Sequence, residues 1–266
     1  MQVLIYFVIC LICTILGAVS GIGGGVIIKP LMDALSGMNA STVSFLAGLT
    51  VEAMAAVSIT QHFVKKESTR LEPRRGTLLA VGSVAGGVAG KALFAAFEAA
   101  AGQEQMVAAG QNMVLFLLTG LVFVYYVKKG SIKTRNITHD AACLGVGLAL
   151  GLLSSFLGIG GGPINLMILS YLFSMDSKTA ALHSLYIILF SQTASLVATL
   201  TSGTAPAFQW STLIAMALGG VIGAFCGRAV NRKLSNKGVD KLFMGMLVVI
   251  LGVCLYNVNR FLGGMR

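Results

Sequence analysis

The sequence contains little charge, and its acidic residues are especially few. Only 11% of the 266 residues are charged, with 9 Asp and Glu against 19 Lys and Arg, whereas roughly 25% is usual in soluble domains. Apolar residues make up 56% of the chain, and the mean hydropathy is +0.87. The basic residues cluster in short segments between apolar blocks, which is typical of membrane topology signals and not of a nucleic-acid-binding patch. The composition therefore predicts a polytopic membrane protein with no nucleic-acid partner.

The sequence also lacks the common motifs of enzymes and metal sites. It contains no H-E-x-x-H, no Walker A motif, no nucleophile elbow and no cluster of metal ligands. Its five cysteines all fall inside apolar segments, where cysteine usually behaves as a small hydrophobic side chain: Cys10, Cys13, Cys143, Cys226 and Cys254. We therefore expect no enzymatic activity, no metal and no cofactor.

Long apolar segments are abundant, and they predict an all-α membrane fold. A helix needs roughly 20 residues to cross about 30 Å of hydrocarbon. Eight segments meet this length: 3–20, 40–63, 76–97, 106–127, 141–158, 177–200, 211–231 and 241–261. Two shorter segments, 26–37 and 163–174, each follow directly after a run of glycines. We predict that these two are broken or re-entrant helices.

The chain aligns with itself at an offset of 137 residues, which indicates a duplication. This offset superimposes Gly21–Gly25 on Gly158–Gly162. It also superimposes the tract Gly82-x-x-x-Gly86-x-x-x-Gly90 on Gly219-x-x-x-Gly223-x-x-x-Gly227. We therefore predict a first membrane repeat over 1–130, a cytoplasmic linker over 131–140, and a second membrane repeat over 141–266.

Basic residues in three loops predict the orientation of the repeats. They are Lys65, Lys66, Arg70, Arg74 and Arg75, then Lys128, Lys129, Lys133 and Arg135, then Arg228, Arg232, Lys233 and Lys237. The positive-inside rule assigns these loops to the cytoplasm. The loops around 98–104 and 201–209 hold no Lys or Arg and, like both termini, are predicted outside. With about five elements in each repeat, the second repeat is expected to be inverted, as in many secondary transporters.

The two glycine runs are candidate anion-binding sites. Glycine tolerates positive φ, and consecutive free N–H groups at a helix N-terminus bind anions. The candidate residues are Gly23, Gly24, Gly25, Gly160, Gly161 and Gly162. Pro163 stands where an N1 proline would begin the second short helix, and Asn165 adds a hydrogen-bond donor. The alternative is a tight, close-packed helix break without a ligand.

Lys29 and Asp33 are four residues apart on the first short helix and therefore share a face. A lysine within the membrane is costly and commonly functional, so Lys29 is a candidate to neutralise a bound anion and Asp33 a candidate for ion coupling. The alternative is a structural ion pair or a lysine side chain that extends to the membrane interface. The second copy has Leu166 and Ser170 at these positions, so the feature is not symmetric.

The segment 177–200 carries a stripe of polar residues that includes Ser184. Such a stripe either joins helices or lines a water-filled path. His183 can change its charge near neutral pH, which suggests a role in substrate binding or proton transfer. Glu52 is the one carboxylate well inside a long span. Glu52 and Gln192 are candidate coupling residues, with structural pairing as the alternative for Glu52.

The two GxxxGxxxG tracts are better explained by packing, because small residues at every fourth position let helix backbones approach closely. Lys91 and Arg228 follow the last glycine of the two tracts. We expect both side chains to extend to the membrane interface. His62 and Gln61, at a helix end, are also expected at the interface.

The segments GIGGGVIIKPLMDAL and GIGGGPINLMILSYL, together with the segments that follow them, resemble the sulfite exporter TauE/SafE family over essentially the whole chain. The resemblance implies a secondary transporter in the bacterial cytoplasmic membrane that moves a small sulfur-containing anion, such as sulfite, a sulfonate or thiosulfate. We expect alternating access coupled to H⁺ or Na⁺, with the lipid bilayer as surroundings and a homo-oligomer left open. An anion channel and a membrane scaffold or sensor subunit are the alternatives.

Overall fold

The structure is a computed structural model that describes residues 2–65, 69 and 71–263. Lys66 and Arg70 of the first basic loop lie outside the described residues. The described chain forms ten α-helices: α1 Gln2–Ser20, α2 Gly25–Leu35, α3 Ala40–Val64, α4 Pro73–Ala101, α5 Glu104–Lys128, α6 Asp140–Leu157, α7 Pro163–Phe173, α8 Ser177–Thr201, α9 Trp210–Lys233 and α10 Asn236–Gly263. Eight of them are long and apolar enough to cross a membrane. The prediction of an all-α protein with eight long apolar helices, each a candidate span, and two short helices is confirmed.

Local chemistry explains several of the helix ends. Pro73 and Pro163 stand in the first turns of α4 and α7, where a missing N–H costs nothing. The carboxylate of Asp176 accepts a hydrogen bond from the Thr179 N–H at 3.3 Å and caps α8. Gly102 and Gly158 end α4 and α6 in the left-handed region.

Contacts between helix ends define two faces of the molecule. On the face that we call the basic face, Lys129 at the end of α5 lies 3.2 Å from Asp240 near the start of α10. The loop before α6 joins this face to the end of α7, since the Arg135 N–H donates to the Tyr171 carbonyl at 2.7 Å. The short helix α7 therefore ends on the face from which α6 begins.

The opposite face, which we call the neutral face, has loops over 36–39, 102–103 and 202–209 that contain no Lys or Arg. Gln2 at the start of α1, Ser36 after α2 and Gln209 before α9 line one surface cleft there. The short helix α2 therefore ends on the face from which α1 begins. Both short helices return to the face where the helix before them starts.

The GxxxGxxxG tracts pack α4 against α6 and α9 against α1. A Cβ placed on Gly82, Gly86 or Gly90 would overlap the carbonyl oxygens of Leu144, Leu148 and Leu152 in α6. In α9, a Cβ on Gly219 would lie 2.9 Å from the Phe7 carbonyl oxygen, and one on Gly227 would lie 2.6 Å from that of Ile15. Phe7 and Ile15 are the residues equivalent to Leu144 and Leu152 at the 137-residue offset. The packing interpretation of both tracts is confirmed.

Candidate functional site

The two glycine runs have positive φ at three equivalent positions, whereas Gly25 is helical and its equivalent Gly162 is extended. The φ angles are +82° at Gly21 and +62° at Gly158, +95° at Gly23 and +67° at Gly160, and +69° at Gly24 and +112° at Gly161. Residues with a Cβ rarely occupy this left-handed region, because the Cβ approaches the following carbonyl. Three pairs of glycines are therefore required by the backbone path of the helix breaks.

The structure brings the two runs into contact at the centre of the molecule. A Cβ on Gly23 would lie 3.1 Å from the Gly160 carbonyl oxygen. Val51 and Ile188, at the middle of α3 and α8, cover the runs, and both side chains are fully buried. The two covering residues are equivalent at the 137-residue offset. The two helix breaks therefore form one structure, which we call the glycine core.

Several backbone donors in the glycine core are without a partner. Among the described residues, no backbone carbonyl accepts a hydrogen bond from the N–H groups of Gly23, Gly24, Gly160 or Gly161. The Gly25 N–H differs, because it donates to the Gly23 carbonyl at 2.8 Å. These unpaired donors lie at or just before the N-termini of α2 and α7, where the helix dipole favours an anion.

A cavity extends from the glycine core toward the neutral face between α3, α4, α6 and α8. Gly158 forms part of its wall. The polar side chains that line it are Ser44, Glu52, Lys91, Ser155, Gln192, Ser195 and Thr199. Hydroxyl, amide and ammonium groups predominate in this list, and they can all donate hydrogen bonds to an anion.

Gln192 and Ser155 are buried polar residues of this cavity whose side chains have unused hydrogen-bonding groups. Each is only 5% exposed, and neither the Gln192 Nε2 nor the Ser155 Oγ has a hydrogen-bond partner within the described chain. A Cβ on Gly160 would lie 2.7 Å from the Gln192 Nε2. A buried donor without a partner costs free energy. A bound acceptor at the cavity end would remove this cost.

Glu52 lines the same cavity as Gln192. Its Oε1 accepts a hydrogen bond from the Thr193 hydroxyl at 2.8 Å, and its side chain is half-buried. The structure therefore brings both coupling candidates of α3 and α8 to one cavity.

Asn165 and Ser184 are fully buried beside the second glycine run. The Asn165 Nδ2 donates to the Ser184 Oγ at 3.4 Å, and a Cβ on Gly161 would lie 3.4 Å from that Nδ2. The Asn165 Oδ1 has no partner among the described residues. These two predicted site residues and the glycine run are thus neighbours.

Lys29 and Asp33 lie elsewhere, in a buried network between α2, α5 and α10. The Lys29 ammonium is 3.2 Å from the Asp33 carboxylate, which also accepts from the Asn112 Nδ2 at 3.0 Å. Asn257 of α10 donates to Asn112 at 3.0 Å and to the Pro30 carbonyl at 2.8 Å. Neither charged residue lines the cavity. This geometry favours the structural ion pair over the substrate-binding and coupling roles.

His183 is adjacent to Ser184 in sequence but contacts a different region. Its Nδ1 donates to the Thr179 carbonyl at 2.9 Å, so its Nε2 is free to accept from the Glu72 N–H at 3.2 Å. The imidazole therefore holds the residues before α4 against α8 near the basic face. It does not line the cavity.

The expected interface positions of Arg228, His62 and Gln61 are wrong. Their exposed fractions are 4%, 6% and 7%, and the Arg228 guanidinium lies 3.4 Å from the His62 Nδ1. Lys91 is half-buried, lines the cavity, and places its ammonium 5.2 Å from the centre of the Phe94 ring. Helix-end positions suggested the interface, but neighbouring helices enclose these ends.

Sequence reasoning missed Lys91 and Ser155 as cavity residues. For Lys91 a signal existed, because it and Arg228 are basic residues at equivalent positions in two apolar segments. Ser155 gave no signal, since nothing near it in sequence distinguishes a cavity wall from a helix contact. Among the described residues, no group of three or more His, Cys, Asp or Glu could hold a metal ion.

The ten-helix fold, with its eight candidate spans, is that of a multi-pass membrane protein. The family model described as "Sulfite exporter TauE/SafE" matches residues 6–254, and the chain belongs to this family of membrane transporters, which is not an enzyme family. It is similar to the "Probable membrane transporter protein YunE" of Bacillus subtilis (strain 168), with 26% identity over 281 aligned residues that cover 98% of this chain and 100% of the relative. No solved structure matches the chain.

Proposed function

We propose that this transporter moves a small sulfur-containing oxyanion, of the sulfite, sulfonate or thiosulfate type, by alternating access as a secondary transporter. One observation carries the proposal: the cavity is lined by two buried donors without a hydrogen-bond partner among the described residues, the Gln192 amide and the Ser155 hydroxyl, beside the glycine core. Oxyanions supply acceptors in several directions, so they fit a group of donors better than a cation or an amine does.

Inverted repeats support alternating access in this proposal. α1 starts on the neutral face, and α2 ends there. Their equivalents lie the other way round, since α6 starts on the basic face and α7 ends there. The pairing of α1 with α9 corresponds to the pairing of α6 with α4. By the positive-inside rule, the basic face is cytoplasmic and both termini are outside. Rocking of one repeat against the other would open the glycine core to each side in turn.

We assign different roles to the candidate residues. The free N–H groups of Gly23, Gly24, Gly160 and Gly161 would hold the anion at its deepest position, with Asn165 and Ser184 beside them. Opening of the core requires Val51 and Ile188 to move, because they now cover the glycines. Lys29, Asp33 and His183 would hold the scaffold in place.

Glu52 is our candidate for coupling to H⁺. A carboxylate in the same cavity as an anion repels that anion when ionised, and admits it when protonated. Cavity residues of this kind can therefore link anion movement to proton movement.

A ligand screen followed by a flux assay tests the proposed function. The detergent-purified protein is heated with sulfite, sulfate, thiosulfate, sulfoacetate, taurine or small carboxylates, because a ligand that binds the folded state raises its apparent stability. We expect selective stabilisation by one sulfur oxyanion. That anion is then followed into proteoliposomes, where flux by a carrier saturates and flux through a channel does not. Absence of any stabilising anion, or flux that does not saturate, would refute the transporter mechanism.

A further inference from the structure

Lys91 and Arg228 occupy equivalent positions in the two halves of the chain. Each directly follows the last glycine of a GxxxGxxxG tract, Gly90 in α4 and Gly227 in α9. Because α4 runs from the basic face and α9 from the neutral face, the two cations lie on opposite sides of the glycine core. Each cation can therefore face an anion on one side of the core.

The surroundings of the two cations differ in openness. Lys91 lines the cavity, and Gly48 leaves room in the cavity wall opposite Gln192. On the other side the position equivalent to Gly48 is Leu185, which is fully buried in a compact apolar cluster with Ala55, Ile59 and Leu182. Arg228 is 4% exposed beside this cluster. The structure is thus open on the Lys91 side and closed on the Arg228 side.

The local partners of the cations match this difference. Among the described residues, no carboxylate oxygen is placed within 4.0 Å of the Lys91 ammonium, although four other ion pairs are formed. The Arg228 guanidinium lies 3.4 Å from His62, whose equivalent Thr199 lines the cavity. Glu98 interacts with the Lys91 ammonium only at longer range. A half-buried ammonium that no carboxylate contacts directly attracts an anion into its cavity.

We propose that Lys91 and Arg228 are paired capture residues for a small oxyanion, one for each side of the glycine core. The Lys91 site receives the anion while the Arg228 site is closed, and closing of the cavity around Lys91 opens the Arg228 site. His62 accepts the Arg228 hydrogen bond in the closed site and gives it up to the anion in the open one. This inference rests on the proposed function, because it names the residues that guide the same substrate.

Thiol modification tests the capture residues without any transport assay. Ser195 lines the cavity, and its equivalent Ser58 is fully buried on the closed side. Each is changed separately, Ser195→Cys or Ser58→Cys, with Cys226→Ser to remove the exposed native thiol. The purified variants react with an anionic reagent, sulfonatoethyl methanethiosulfonate, or with its cationic trimethylammonium counterpart.

We expect the Ser195→Cys thiol to react faster with the anionic reagent than with the cationic one. Adding Lys91→Gln to this variant should lower the ratio of anionic to cationic rates roughly fivefold, because one nearby charge acts with opposite sign on the two reagents. Lys91→Arg keeps the ratio. Ser58→Cys reacts on the order of tenfold more slowly than Ser195→Cys because it is enclosed. An unchanged ratio in Lys91→Gln, or equal reactivity at the two positions, overturns the proposal.

Flux measured separately from each side gives the second test, with sulfite as the probe in oriented proteoliposomes. Lys91→Gln should raise the KM about fivefold for sulfite presented at the neutral face, and Arg228→Gln should do so for sulfite at the basic face. Lys91→Arg and Arg228→Lys serve as charge-conserving controls for folding. If the unaltered protein carries sulfite and neither variant changes its KM on either side, the paired capture residues are refuted while transport stands. If the unaltered protein carries no anion, the proposed function fails, and the thiol ratios alone decide whether Lys91 attracts anions.

Discussion

The two halves of this transporter share several backbone features and differ in their buried polar groups. Equivalent glycines have positive φ in both helix breaks, and equivalent tracts hold α4 against α6 and α9 against α1. The first short helix, however, carries the Lys29–Asp33 ion pair, whereas the second carries Asn165 beside Ser184. The features common to both halves are thus features of the backbone, namely the helix breaks and the close helix contacts. We propose that selectivity for a substrate comes from the residues that the two halves do not share.

The same contrast separates the two sides of the glycine core. Gly48, Glu52 and Gln192 surround an open cavity on the side of the neutral face, and their equivalents Leu185, Leu189 and Ala55 leave an apolar contact on the other side. A polar cavity opposite a buried apolar contact would suit one access state of the proposed alternating-access mechanism. The four predictions below test which of these differences matter.

The largest expected effect comes from replacing Lys29 by leucine, the residue found at the equivalent position 166 in the second half. Lys29→Leu leaves the Asp33 carboxylate buried with only Asn112 as a side-chain partner, and a buried charge that loses its partner destabilises by about 3 kcal/mol. We therefore expect a much smaller fraction of the protein to remain monodisperse after heating. Gel filtration measures this fraction.

The double variant Lys29→Leu with Asp33→Ser reproduces the second-half residues Leu166 and Ser170. It should recover most of the lost stability and keep its affinity for the transported anion, because neither residue lines the cavity. Weakened anion binding in a stable double variant would instead restore Lys29 to the binding site.

The second effect tests whether the tight helix contacts are equally important in both halves. Gly86→Ala pushes α4 from the Leu148 carbonyl, and Gly223→Ala pushes α9 from the side chain of Thr14. Overpacking of this kind costs about 1–3 kcal/mol, so both variants should lose heat stability by similar amounts. Gly145→Ala is the matched control, since nothing lies within 4 Å of its added Cβ. A tolerated Gly86→Ala would mean that the helices are not held at this distance.

The third effect tests the polar end of the cavity. Gln192→Leu removes a buried amide donor and should weaken binding of the stabilising anion roughly tenfold, because hydrogen bonds to charged groups contribute about 1.5–3 kcal/mol. Calorimetric titration of the purified protein measures the change. Ser58→Ala on the closed side should leave the affinity unaltered. Equal losses in both variants would argue against the cavity as the route to the site.

The smallest effect concerns an ion pair on the basic face. Arg74 and Asp140 join the starts of α4 and α6 at 2.6 Å, but both side chains are exposed, and exposed pairs contribute little to stability. The pair has no counterpart in the other half, where the equivalent residues are Ser211 and Val3. Asp140→Asn should therefore cause no measurable change in heat stability or in anion affinity. A clear loss would show that this unduplicated contact helps to hold the fold.

Much of the candidate site could be predicted from the sequence, but only where the backbone dictates it. Runs such as Gly158–Gly162 require positive φ and a helix break, so their positions follow directly from residue types. The side chains were harder to assign. His183 and Ser184 are neighbours in sequence, yet successive helix residues point about 100° apart, and one contacts Glu72 while the other contacts Asn165.

The sequence by itself determined the class of protein, the eight long spans, the two short helices and the close-packed tracts, because hydrophobic length and small-residue spacing act locally along the chain. Only the tertiary structure decided that the two glycine runs meet, that the Lys29–Asp33 pair lies away from the cavity and against Asn112 and Asn257, and that Arg228 is buried while Lys91 lines an open space. Those outcomes depend on which helices enclose a side chain. Contacts between residues more than a hundred positions apart leave no local pattern in the sequence.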